Sequence, residues 1–303
     1  MSNHVFLYRN ALKTAVKLWT TNEQSAIDTY GRHISDWDVS NVTDMGFMFY
    51  DARSFNQDIS KWNVSNVTSM QSMFYDARSF NQDISKWNVS NVTSMQSMFD
   101  GASSFNQPLD KWDVSNVTDM SAMFRDARAF NQPLNNWNVS NVTSMQSMFD
   151  STRAFNQPLD KWNVSKVTNI SGMFYNAESF NQPLDNWKDK ITNVTDMSSM
   201  FYDAIAFNQD LSNWDISAHT TMDQMFRDTN VNEDFKPSFE KTVAREQLRK
   251  QTRYNTMLTM KKKNKNRLDE HKSNLPHVLQ RQITEYVAGK KRRKHSTKRN
   301  VKK

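Results

Sequence analysis

From Ile34 to Thr229 the chain repeats one pattern of apolar and polar positions. In the copy around Trp62, Ile59, Trp62 and Val64 are apolar at spacings of three and two. Val67, Met70, Met73, Phe74 and Ala77 follow at offsets 0, 3, 6, 7 and 10, and Phe80-Asn81 closes the unit. The first group is too short for a stable helix, and its Trp and Val favour a strand. The second group has the spacing of a helix face. The pattern therefore predicts a short strand, a tight turn at Ser65-Asn66, a short helix and a loop.

Trp37, Trp62, Trp87, Trp112, Trp137, Trp162 and Trp187 recur every 25 residues, and Trp214 follows after 27. A fixed period of that size means stacked copies of one small unit, each too small to bury its apolar side alone. Tyr50 to Phe74 is identical to Tyr75 to Phe99. A whole extra unit is tolerated where each repeat touches only its neighbours, and a catalytic pocket of unique residues would not survive such an insertion. The expected fold is an α/β repeat solenoid, a stack of short parallel strands and short helices similar to a leucine-rich repeat.

The columns that recur with the Trp are expected to be structural. Met70, Met95, Met120 and Met145, with Met73, Met98, Met123 and Met148, offer thioethers of the kind that bind Cu(I), but their register with Trp and Phe makes them core. The Asn after each Phe (Asn56, Asn81, Asn106, Asn131, Asn156, Asn181, Asn208) is expected to form a ladder satisfying loop amides. The N-V-T and N-V-S triplets match a glycosylation acceptor. They recur because the repeat does, and serve turns and caps.

Three parts follow. Residues 1–33, with Leu7, Leu12, Val16 and Trp19 on one helix face, are an N-terminal helical cap. Residues 34–230 hold about eight units, with two extra residues near Trp187-Lys188-Asp189-Lys190-Ile191. Residues 231–303 are a basic tail, helical after Ser238. In the tail Leu275, Leu279, Ile283 and Val287 stand four apart, marking a short amphipathic helix over 275–288.

Charge sharpens this division. From position 236 onward lie 22 of the 39 Lys and Arg but only 5 of the 32 Asp and Glu, so an acidic stack is joined to a basic tail. There is no Cys, so disulfides and thiolate metal sites are excluded. The six His are scattered singly, and no Gly-rich phosphate loop occurs. Neither catalysis nor a cofactor or metal is expected. No run approaches the ~20 apolar residues of a membrane span. Residues 1–17 lack an unbroken apolar stretch, so an intracellular monomer is expected.

Leu12 to Val16, Ala26-Ile-Asp-Thr-Tyr-Gly31 and Ile34-Ser-Asp-Trp-Asp-Val-Ser-Asn-Val-Thr-Asp-Met45 resemble the entry to BspA-like leucine-rich-repeat proteins. The F-N-Q-x-[IL]…W-x-V-S-x-V-T-x-M…M-F sentence is similar to that family's repeat over roughly residues 10–230. The resemblance implies a leucine-rich-repeat-like stack and a role in adhesion or protein recognition. The basic tail and the lack of an export signal depart from bacterial surface members and fit an intracellular member from a large DNA virus or a protist. Leu275-Pro-His-Val-Leu279 to Val287 also resembles the opening of an F-box, with a helix packing on the last repeat as the alternative.

These readings define three candidate surfaces. The first is a non-enzymatic protein-recognition scaffold whose strand face carries Lys61, Asn63, Lys86, Asn88, Lys111, Asp113, Asn138, Lys161 and Asn163. The second is a nuclear-import or non-specific nucleic-acid-binding tail, with Lys261, Lys262 and Lys263 and with Lys290, Lys291, Arg292, Arg293 and Lys294. The third is recruitment of a ubiquitin-ligase adaptor by Leu275, Leu279 and Ile283.

Overall fold

The computed structural model describes residues 5–273, 279 and 281. It divides into a compact unit, Met1–Thr242, and a second unit, Val243–Lys303. In the first, helices α1 (Arg9–Thr21) and α2 (Glu23–Tyr30) precede the repeats. Leu12, Ala15, Val16 and Trp19 form the buried stripe of α1. Asn22 caps α2 by accepting the Ser25 amide, and Gly31 ends it at φ 76°.

The repeats stack through eight rungs, residues 44–51, 69–76, 94–101, 119–126, 144–151, 169–176, 196–203 and 221–228. The first residue of each rung pairs with that of the next by a single parallel bridge, from Asp44–Ser69 to Asp196–Thr221. In rung 2 the amides of Met70, Ser72, Phe74 and Asp76 donate to the carbonyls of Ser94, Gln96, Met98 and Asp100 at 2.7–3.1 Å. The same four bonds recur at all seven junctions.

The expected α/β solenoid of parallel strands and short helices is thereby overturned. Among the described residues there is no strand longer than an isolated bridge, and α1, α2 and the tail helix α3 (Phe239–Ser273) are the α-helices. The reason lies in the backbone. Ser72 and Asp76 have φ of 52° and 53°, and the equivalent pair recurs in every rung, filled by glycine at Gly101 and Gly172. A left-handed residue every four positions breaks an α-helix before it completes a turn. It converts the segment into overlapping turns, such as Met73 N–H to Met70 O and Tyr75 N–H to Ser72 O, both at 3.2 Å. The freed amides then point along the stack. At the second of these positions stand Asp51, Asp76, Gly101, Asp126, Ser151, Asn176, Asp203 and Asp228, mostly residue types that tolerate left-handed backbone.

The core runs up the middle of the stack. The Trp, Val, Met and Phe columns are almost wholly buried. Phe74 stacks on Phe80 at 4.0 Å and on Phe99 at 5.6 Å, and the contact repeats along the column. From Trp62 to Trp214 each indole N–H reaches back to a carbonyl of the preceding unit, as Trp87 does to Ile59 at 3.2 Å and Trp137 to Leu109 at 2.9 Å. The Asn ladder forms beside it: Asn106 Oδ1 accepts the Asn131 amide at 2.9 Å and Gln132 Nε2 at 3.0 Å. A tight turn does close at Ser65-Asn66, with Val67 N–H to Val64 O at 2.9 Å. The two extra residues near Lys188 are absorbed next to a 3₁₀ turn at Asp185–Trp187, and the stack resumes with Thr195 N–H to Thr168 O.

The end of the first unit is tied to the last rungs. Thr242 is buried, and its hydroxyl bridges the Trp214 carbonyl and the Ile216 amide, both at 3.3 Å. In the second unit the described side chains of α3 from Glu246 to Lys263 are exposed.

Candidate functional site

The Lys and Asn columns do not lie on strands. Lys61, Lys86, Lys111 and Lys161 are exposed within the turns that precede each Trp, as in Trp62 N–H to Ile59 O. Each following Asn or Asp is bound to its own turn: Asn63, Asn88, Asp113, Asn138 and Asn163 accept the amides of Ser65, Ser90, Ser115, Ser140 and Ser165 at 3.0–3.3 Å. For Asp113 the Ser115 hydroxyl and amide hold the carboxyl below its usual range. The structure thus brings these residues into columns, while the amide side chains already have local partners.

A different column has freer chemistry. Phe occupies the position before it in every rung (Phe49, Phe74, Phe99, Phe124, Phe149, Phe174, Phe201, Phe226), whereas the next residue runs Tyr50, Tyr75, Asp100, Arg125, Asp150, Tyr175, Tyr202, Arg227. Because Phe points into the core, its neighbour is turned away from it: Tyr50 and Arg227 are exposed, Asp100 is buried and the others are half-buried. Tyr50 stacks on Tyr75 at 4.7 Å and Tyr175 on Tyr202 at 4.8 Å. The Arg227 guanidinium lies 5.4 Å from the Tyr202 ring.

Between the two Tyr pairs the column dips into a hollow of about 600 Å³ lined by Tyr75, Asp100, Arg125, Asp126, Arg128 and Asp150 among others. Asp100 is 4% exposed and pairs with Arg125 at two points, Nε–Oδ1 3.1 Å and NH2–Oδ2 2.7 Å. Burial pushes the Asp100 carboxyl up to about 6, against the opposing pull of Arg125 and with help from Asp126 and Asp150. Burial raises Asp150 too, opposed by its bond to Ser151. A second varied column flanks the first, with Arg53, Arg78, Arg128, Arg153 and Glu178. Its Arg53 bridges Asp51 at 2.7 Å and Asp76 at 3.1 Å. Among the described residues no group of three or more His, Cys, Asp or Glu is placed to hold a metal ion.

Of the tail residues, Lys261, Lys262 and Lys263 are exposed on α3. Leu279 is 44% exposed. Leu275, Ile283 and Lys290, Lys291, Arg292, Arg293 and Lys294 lie outside the described residues, as does most of the 275–288 segment. No described helix is long and apolar enough to cross a membrane.

The geometry defines a repeat protein whose rungs are joined by main-chain bonds and whose outer columns are open to contact. A family described as "Mycoplasma protein of unknown function, DUF285" matches residues 16–131, 105–192 and 160–271. The chain belongs to that family, and the three overlapping matches follow the internal repeat. No curated protein and no solved structure matches.

Proposed function

We propose that this protein is a non-enzymatic recognition scaffold that binds a protein partner through the Tyr–Asp–Arg column. One observation carries the reading. In a stack whose internal columns are nearly uniform, the residue after each Phe varies among Tyr, Asp and Arg and, Asp100 apart, is exposed or half-buried, and Tyr and Arg are residue types that dominate binding energy at protein interfaces. The stacked Tyr pairs hold their rings in place before contact, which lowers the ordering cost of binding. The Lys–Asn columns are the competing face, and their Asn side chains have less to offer a partner.

Affinity capture from nuclease-treated lysate separates the two faces. Tyr50→Ser, Tyr75→Ser and Tyr175→Ser together should abolish capture of a partner that Lys61→Glu, Lys86→Glu and Lys111→Glu together leave in place. The reverse result would move recognition to the Lys–Asn face, and loss in neither would remove both.

A second reading rests on α3. Between Glu246 and Asp269 it carries Arg249, Lys250, Arg253, Lys261, Lys262, Lys263, Lys265 and Arg267 with no acidic residue, a helix suited to phosphate backbones. Changing Lys261, Lys262 and Lys263 to Gln should then lower the slope of log affinity against log salt by roughly 0.9 for each DNA phosphate that the helix no longer neutralises. An unchanged slope would end this reading.

A further inference from the structure

Each of the first seven rungs spends four amides on the rung that follows it. The eighth has no follower among the described residues. The amides of Met222, Gln224, Phe226 and Asp228 occupy the donor positions, and among the described residues they make no hydrogen bond. Gln224 and Asp228 keep the left-handed φ of 56° and 57° that aims these amides outward. The carbonyls of the same rung are already used: those of Thr221, Asp223, Met225 and Arg227 accept from Met197, Ser199, Phe201 and Asp203. At the four alternate positions from 222 to 228 the edge therefore presents donors; the one main-chain bond per junction that runs the other way, here Thr221 N–H to Thr195 O at 2.9 Å, lies at the start of the rung.

Two of the apolar columns end there only partly covered, with the Lys236 ammonium 5.6 Å from the Phe226 ring. Phe226 continues the stacked Phe column, 5.7 Å from Phe201, but it is only partly buried where the preceding Phe residues are buried. Met222 is likewise half-buried. A hollow of about 370 Å³ opens beside them, lined by Met222, Gln224, Phe226, Lys236 and Pro237 among others. The Thr242 bridge covers Trp214 and Ile216 on another part of the same end, with both side chains buried.

We propose that this edge is a docking site for a segment of another protein that carries the repeat's own V-T-x-M-x-x-M-F sentence and lies along it as a ninth rung. The chemistry selects that occupant. A row of donors at alternate residues needs a row of carbonyls at the same spacing, all on one side. A backbone with left-handed residues four apart supplies that arrangement, as the seven junctions within this chain do. A Phe in the segment would continue the column over Phe226 in place of the Lys236 ammonium, which lies 5.6 Å from that ring. A second rung edge of the same kind cannot pair donor to donor, so two copies meeting end to end through this edge would leave it unsatisfied. The inference goes beyond recognition by the Tyr–Asp–Arg column and uses none of its tyrosines.

The test is amide hydrogen exchange on the full chain, alone and with a synthetic peptide of Val92 to Phe105, which carries that sentence and the carbonyls that rung 2 binds. In the free chain the amides of Met222, Gln224, Phe226 and Asp228 should exchange at least ~100-fold faster than those of Met197, Ser199, Phe201 and Asp203. Saturating peptide should slow them selectively. Phe226→Asp should weaken that protection at least about tenfold, while unchanged exchange at 197–203 shows the stack intact. Protection already present in the free chain would mean that its own residues cover the edge. Protection that grows with protein concentration would mean a second copy does. Either result overturns the proposal, as does a peptide that protects nothing. The Tyr50, Tyr75 and Tyr175 triple variant should retain the peptide response, which keeps this test separate from that of the recognition face.

Discussion

In rung 2 the amide of Phe74 bonds to a carbonyl 24 residues further along, whereas in α3 the amides close on carbonyls within the same helix. The stretch from Val67 to Ala77 has the clearer helical spacing of apolar residues, and it is the one that is not a helix. Helix α3 has sparse apolar positions and exposed sides from Glu246 to Lys263, yet it is helical. The contrast teaches that apolar spacing reports which side chains are buried together, while the backbone is decided by where the amides find acceptors. In the rungs a neighbouring copy supplies those acceptors. In α3 the helix itself does.

The contrast can be broken most strongly at the core. Trp137→Ala removes a buried indole and its bond to Leu109, and should cost about 3–5 kcal/mol in urea unfolding. Leu258→Ala on exposed α3 should stay within ~0.5 kcal/mol. Comparable losses at the two sites would mean that the tail is as much a part of the folded core as the rungs are.

A second effect depends on pH. The Asp100 carboxyl titrates at about 6 in the folded chain, above the ~3.9 of an unfolded one. Its contribution is therefore fully present below about pH 4 and is lost as pH rises through about 6. Relative to Asp100→Asn, the parent should lose up to about 3 kcal/mol over that window and no more above it. Parallel stability profiles for parent and variant would show that Asp100 is not strained by its burial.

The smallest effect sharpens the backbone argument itself. Asp126 has φ of 54°, so Asp126→Val should cost roughly 1–2 kcal/mol and Asp126→Gly little or nothing. At Gln251 in α3 glycine should instead be the damaging change, by about 0.5–1 kcal/mol of helix stability read by circular dichroism. A Gly that weakens both positions equally would remove the distinction between the two regions.

Much of the molecule was legible in the sequence through its columns. The period, the buried Trp, Met and Phe residues, the turn at Ser65-Asn66 and the Asn ladder are all readable because a stack repeats each contact. The strand and helix were not, since residues 67–77 carry helical spacing for a reason unrelated to helices: overlapping turns also bring every third or fourth residue inward. The one signal for the true backbone was the Asp/Asn/Gly column from Asp51 to Asp228, whose residue types favour left-handed conformation. For the candidate site, a search for repeated residues selects the Lys and Asn columns and passes over the Tyr–Asp–Arg one. That column stands out only when the variation at one position is set against the constant Phe beside it.

The aligned rung bonds have an electrical consequence. The four rung columns run the same way and outnumber the columns that run back, such as Thr68 N–H to Thr43 O and Ser79 N–H to Arg53 O, so a net dipole adds along the stack as it does along an α-helix, but with the opposite sense. Here the amino-terminal end is carbonyl-terminated and negative, and the carboxy-terminal end is amide-terminated and positive. Arg9 sits at the negative end, 2.6 Å from the Gly46 carbonyl and 3.3 Å from Asp44, and the exposed Asp223 and Asp228 belong to the rung at the positive end. Adding a repeat inserts another set of parallel dipoles between these poles, and the sign at each end stays as it was.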